Sequence, residues 1–182
     1  MSKQIEDLVK AKEDLTKIIE QIDKTMSTQF GLAFDKIKVY FNDIFKRLFG
    51  GGNAKLILTN KEDILSSGIE IEVEPPDKKP QSLAVLSGGE RTLTVIALLF
   101  AFFTYNPAPF SVLDEIDAPL DEANVKRFAK FLKDYAKRTQ FILVTHRKGT
   151  MESADVMYGV TIEDAGVSKL ISVRLEDFEE RG

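Results

Sequence analysis

Near the amino end of this 182-residue chain, apolar residues fall at Ile5, Leu8, Leu15, Ile19, Ile22 and Met26, in alternating steps of three and four with Lys12 filling one gap. Charged residues occupy most of the positions between them, and no glycine or proline intervenes before Gly31. Such stepping is a heptad seam, and it predicts a helix from about Ser2 to Thr28. A stripe this narrow cannot be buried by its own helix. It calls for a partner helix, from another chain or from a part of the same protein lying outside these residues. The plainer alternative is a surface helix packed on its own domain; the regular stepping favours the end of a coiled coil.

A second apolar series, Phe30, Phe34, Ile37, Phe41, Ile44 and Leu48, keeps the helical spacing but replaces aliphatic residues with bulky aromatics, which marks entry into a globular core. Gly50-Gly51-Gly52 then stops the helix, since glycine reaches the left-handed conformation a helix end often needs. Lys55 to Thr59 and Ile69 to Val73 alternate apolar and polar as half-buried strands do, with a loop at Asn60 to Ser67 between them. Pro75, Pro76 and Pro80 predict an extended loop. Beyond it the pattern predicts a helix at Gly88 to Thr104, a strand at Phe110 to Leu113 and a helix at Glu122 to Lys137. Three strands follow, at Gln140 to Val144, Val156 to Ile162 and Ser168 to Val173. Strands alternating with helices in the second half argue for an α/β layer structure with parallel strands, whereas the first half reads as antiparallel.

Composition narrows the function classes. The chain carries 25 Lys+Arg against 29 Asp+Glu, a formal net charge of −4, so general attraction to nucleic acid or an anionic membrane is not indicated. With no cysteine, disulfide scaffolds, thiolate zinc sites and cysteine nucleophiles are excluded. Met1 to Glu20 is too polar for a secretory signal, and the longest apolar run, Val95 to Phe103, is too short to span a bilayer. The expectation is one cytoplasmic domain with a short extension and no membrane contact. A run of basic residues, Lys126, Arg127, Lys130, Lys133, Lys137 and Arg138, reads as the solvated face of its helix.

Three short stretches carry chemistry. Ser87 and Glu90, either side of Gly88-Gly89, have the spacing of a capping box at an ordinary helix start. That reading leaves the glycine pair unexplained, since each costs about 1 kcal/mol relative to alanine within a helix. The cost is tolerable where a ligand comes right up to the backbone, and a helix N-terminus would favour an anion such as phosphate. The second stretch is the strand Phe110 to Leu113 followed by Asp114 and Glu115; between Asp114 and Glu122 lie five acids in nine residues, with no base among them. Such a cluster repels itself unless a cation is near, and Mg²⁺ suits carboxylates and phosphates; a solvated turn, shaped by Pro119 and capped by Asp121, is the competing reading. The third is His146, the lone histidine, directly after the strand Phe141 to Val144 and Thr145. It is either a surface side chain or, if the two strands are parallel neighbours, a partner of Asp114 and Glu115 around a phosphate. A phosphate loop of the form G-x-x-x-x-G-K-[ST] occurs nowhere. Gly50 to Leu56 lacks the second glycine and the hydroxyl, and it leads into a strand. The chain therefore reads as half of a nucleotide site.

Taken together, these residues resemble the ABC-type ATPases: Leu86 to Glu90 the signature sequence, Phe110 to Glu115 a Walker B strand with its following glutamate, Ala118 to Asp121 the D-loop, and Thr145-His146 the switch histidine. Within that superfamily Asp114-Glu115-Ile116-Asp117-Ala118-Pro119-Leu120-Asp121 is similar to the structural maintenance of chromosomes (SMC) proteins, and the resemblance covers about Phe30 to Leu175. It implies the C-terminal lobe of an ATPase head, an α/β fold with a mixed sheet and flanking helices, with residues 1–29 as a coiled-coil stub and 30–182 as the lobe. Met1 followed directly by coil then predicts a chain trimmed from a longer one. By the same resemblance the cofactors are ATP and Mg²⁺. Asp114 would help hold the metal, Glu115 would orient or deprotonate water, and His146 would contact the γ-phosphate. Ser87, Gly88, Gly89 and Glu90 would cap ATP bound to an opposing head, with Asp121 at the same junction. Expected partners are the N-terminal lobe of the same protein, a second and identical head, the winged-helix domain of a kleisin, and DNA through the full complex on the chromosome. Alternatives are the head of a related coiled-coil DNA-repair ATPase, or a lobe that serves chiefly as a kleisin-binding platform.

Overall fold

The computed structural model describes residues 2–163 and 167–174; the end of the region read as the lobe, 175–182, lies outside them. Helix α1, Ser2–Phe49, is a single unbroken element of 48 residues, about 72 Å long at the usual rise. Its two apolar series behave differently. Ile5, Leu8, Leu15, Ile19, Ile22 and Met26 are all exposed, whereas Ile37, Phe41, Ile44, Phe45, Leu48 and Phe49 are buried. The buried series packs against β1, α2 and α3.

The stop after α1 is built from three glycines with positive φ, and the Gly51 N–H donates to Lys46 O at 2.9 Å. Gly52 is the tightest position, since a Cβ there would lie 2.2 Å from Glu74 O. Strands β1 (Asn53–Leu58) and β2 (Ile69–Glu74) pair antiparallel from Asn53↔Glu74 to Leu58↔Ile69. Alternation puts Ala54, Leu56 and Val73 in the core and leaves Lys55 and Glu72 in a 3.4 Å ion pair outside. The proline loop leads into β3 (Gln81–Ser82), a two-residue strand the hydrophobic pattern could not signal, which pairs with β2.

Helix α2 (Gly88–Tyr105), β4 (Phe110–Asp114), α3 (Glu122–Tyr135) and β5 (Gln140–Val144) form the centre. β4 and β5 are parallel and in register from Phe110↔Gln140 to Asp114↔Val144. Phe100, wholly buried on α2, is ringed by Phe103, Phe128, Phe131, Tyr135 and Phe141, with centroids 5.0 to 6.5 Å away. Such edge and tilted contacts each add about 0.5 to 1.5 kcal/mol beyond burial. A one-turn helix, α4 (Lys148–Met151), lies against α3; Gly149 makes room, since a Cβ there would stand 2.9 Å from Val125 Cγ1.

The last strands, β6 (Val156–Glu163) and β7 (Val167–Arg174), depart from the parallel expectation and pair antiparallel. Only residues 164–166 separate them, and a parallel pair needs a crossover of a dozen residues or more. Among the described residues antiparallel and parallel pairing are thus both present, divided among three small sheets. Among the described residues no helix is long and apolar enough to cross a membrane.

Candidate functional site

The register of β4 and β5 sets the site. With Asp114 opposite Val144, the next residues of both strands emerge at the same end of the pair, and the Glu115 N–H donates to Val144 O at 2.8 Å. The Glu115 carboxylate and the His146 ring, 61% and 63% exposed, face each other with Oε1 and Nδ1 3.7 Å apart. His146 is thus exposed, as its surface reading expects, and also stands beside Glu115 at the end of parallel neighbouring strands, the geometric condition of the other reading. Glu115 has φ of +46°, in the left-handed region that a non-glycine residue occupies only when its surroundings hold it there. Asp114 is exposed, and its carboxylate makes no hydrogen bond or ion pair with the described residues.

The acidic stretch is less uniform than its charge suggests. Asp117 is 2% exposed and turned inward, its Oδ2 accepting from the Thr145 hydroxyl at 2.7 Å and from the Thr150 hydroxyl. Asp121 caps α3, accepting from the Asn124 N–H at 2.8 Å and from the Asn124 side-chain amide at 3.1 Å. Two of the five acids thus have donors within the chain and need no cation. Among the described residues no three His, Asp or Glu side chains gather closely enough to hold a metal ion by themselves.

Ser87 and Glu90 form the expected capping box: Ser87 Oγ accepts from the Glu90 N–H at 3.4 Å, and Glu90 Oε2 accepts from the Ser87 N–H at 3.3 Å and hydroxyl at 2.9 Å. Lys78, from the proline loop, donates to Glu90 Oε1 at 2.7 Å. This ion pair, with the Ser87 hydrogen bonds, holds the Glu90 carboxyl below its ordinary range against the opposing effect of burial. A Cβ on Gly88 would meet nothing within 4 Å, so nothing in this chain's packing requires glycine there. One on Gly89 would lie 3.6 Å from Pro119 O and 3.9 Å from Asp121 Oδ2, which sets the start of α2 directly beside the loop that follows β4. The sequence reading missed Lys78, Arg147 and Thr150, and it named Thr145 only as the neighbour of His146, without its bond to Asp117. Of these, Arg147 donates to the carbonyl of Leu120, a contact no local spacing announces.

The architecture resembles part of the solved SMC ATPase heads. A solved structure described under ATP-driven dimerization and DNA-stimulated activation of SMC ATPases superposes with a TM-score of 0.76 at 43% identity, covering 85% of this chain and 93% of that one. A Pyrococcus furiosus Smc head domain with an extended coiled coil, bound to the C-terminal domain of ScpA, gives 0.79 at 43% identity over 93% of this chain and 42% of that one. The model of the RecF/RecN/SMC N-terminal domain matches residues 2–169, and the chain belongs to that family. The chromosome partition protein Smc of Bacillus subtilis is 56% identical over 180 residues, 99% of this chain. The chain spans only 15% of that relative's length.

Proposed function

We propose that this chain is the C-terminal lobe of an SMC ATPase head that hydrolyses ATP to make and break head pairs in chromosome partition, residues 1–29 being its coiled-coil stub and 30–182 its lobe. The observation that carries this reading is the facing pair Glu115 and His146 at the carboxyl end of two parallel strands, where open α/β sheets bind ligands. The bare outer face of those strands supports the half-site. Phe110, Val112, Ile142 and Val144 are all exposed there, although parallel strands are ordinarily covered on both faces. The N-terminal lobe, with the phosphate loop this sequence lacks, is the cover.

In the assembled head Glu115 orients the attacking water and takes its proton as the water oxygen bonds to the γ-phosphorus and the bond to the bridging oxygen breaks. His146 contacts the γ-phosphate. Asp114 fits a Mg²⁺ ligand: it is an exposed carboxylate at the end of β4 with no donor among the described residues, and Mg²⁺ typically takes one or two carboxylates together with phosphate and water. Bound there, Mg²⁺ would neutralise charge on the phosphates. Ser87, Gly88, Gly89 and Glu90 cap the γ-phosphate of ATP held by a second, identical head, with Asp121 close by. The open space over Gly88 suits such an approach. The kleisin winged-helix domain and, through the complex, DNA are the further partners, in the cytoplasm on the chromosome. The Pyrococcus head bound to ScpA supports the first of these.

Glu115→Gln in the full-length protein tests the assignment. ATP binding persists, turnover falls by about a hundredfold or more, and joined heads accumulate in ATP by sedimentation. Turnover at the wild-type rate overturns it.

A further inference from the structure

Beneath the exposed pair lies a set of bonds that the proposed chemistry does not use. Residues 115–120, after β4, and 145–150, after β5, are far apart in sequence, yet side chains tie them at two points. At one, Asp117 Oδ2 accepts from both Thr145 and Thr150; at the other, the Arg147 guanidinium donates to Leu120 O. His146 sits between Thr145 and Arg147, so the residues on both its sides are anchored to the loop that begins with Glu115. Thr145 is shared: its oxygen also accepts from the Arg147 N–H at 3.0 Å, which folds the backbone around His146. Asp117, unlike Asp114 and Glu115, is almost fully enclosed, and a buried carboxylate is costly unless its donors are all in place.

We propose that Asp117 is a positioning residue: its buried carboxylate, gripping the Thr145 and Thr150 hydroxyls, fixes the separation of Glu115 and His146 and ties the loop approaching the start of α2 to the end of β5. This rests on the reading of Glu115 and His146 as the groups that act on the water and the γ-phosphate. The same link gives the loop at 118–121 a mechanical connection to His146. Movement at Pro119 or Asp121, which lie against Gly89, is transmitted to the histidine through Asp117 and Thr145. The left-handed backbone at Glu115 fits this role, because a strained residue keeps its conformation only while neighbouring contacts impose it.

The test uses the full-length protein and compares Asp117→Asn, Thr145→Val and Thr145→Ser with Glu115→Gln. Asp117→Asn and Thr145→Val lower kcat for ATP hydrolysis by about tenfold to a hundredfold, the scale of a misplacement near 1 Å, while KM for ATP stays within about twofold. Thr145→Ser, which keeps the hydroxyl and loses only the methyl, restores turnover to near the wild-type rate. If Asp117→Asn does not fold, the valine and serine pair decides alone. Equal turnover in Thr145→Val and Thr145→Ser overturns the proposal, as does a rise in KM with kcat unchanged. Should Glu115→Gln stall turnover while Thr145→Val works normally, only the positioning role fails. Should Glu115→Gln itself turn over normally, the site reading fails and the positioning role falls with it.

Discussion

Ile19 and Phe41 stand on the same helix, each on an apolar series with helical spacing, yet Ile19 is 57% exposed and Phe41 wholly buried. The difference lies in what is opposite. α2, α3 and β1 pack on α1 where Phe41 is buried, whereas among the described residues Ile19 is left facing solvent. The same division recurs at the site: Asp117 is enclosed by its hydroxyl donors, while Asp114, Glu115 and His146 stand in the open. One population of residues is satisfied within these 182 residues and sets stability. The other stands exposed, and it is there that the proposed function puts partners and substrate.

That division is open to measurement, beginning with the enclosed residues. Phe100→Ala should be the most damaging change, costing about 4 kcal/mol in chemical denaturation, because it empties the middle of a ring of five aromatic side chains. A loss below about 1 kcal/mol would mean the core lies elsewhere. Gly52→Ala comes next, at about 3 kcal/mol, since it combines a positive φ with a Cβ driven into Glu74 O. Gly88→Ala should do the reverse and leave the chain unchanged or about 0.5 kcal/mol more stable, because the added methyl meets nothing here and alanine is the better helix former. Clear destabilisation would show that the glycine serves this chain's own fold, and would blur the comparison.

The smallest effect is a pH dependence at the start of α2. Lys78, helped by Ser87, lowers the folded pKa of Glu90 below its ordinary 4.5. A depressed carboxyl pKa contributes stability that is fully present above the unfolded value and is lost as pH falls through the folded one. Wild-type protein should therefore lose slightly more stability than Lys78→Ala on acidification below about 4.5. Parallel thermal melts of the two across that range check this, and identical slopes would remove the ion pair from the account.

How much was legible follows from distance along the chain. The helical spacing of the two apolar series and the capping box at Ser87 and Glu90 are patterns within a few residues, and the structure has the helix and the cap they predict. The pairing of Glu115 with His146 was a conditional inference, valid if β4 and β5 were parallel neighbours, and the register made it so. Asp117 was misread as one more free acid in a repelling cluster, because its donors lie 28 and 33 residues away. Lys78 stood in a loop whose prolines signalled only extended chain, with its partner 12 residues on. The antiparallel pairing of β6 and β7 was overridden by the α/β rhythm of the preceding strands, although their short connection already required it.

Local order and the identity of the chemical groups were written in the sequence, because periodicity, caps and motifs depend on near neighbours and on residue type. The direction of each acid, outward to solvent at Asp114 and Glu115 or inward to hydroxyls at Asp117, was decided only by the tertiary structure. A carboxylate's neighbours are set by which strands lie side by side, and no spacing along the chain encodes that.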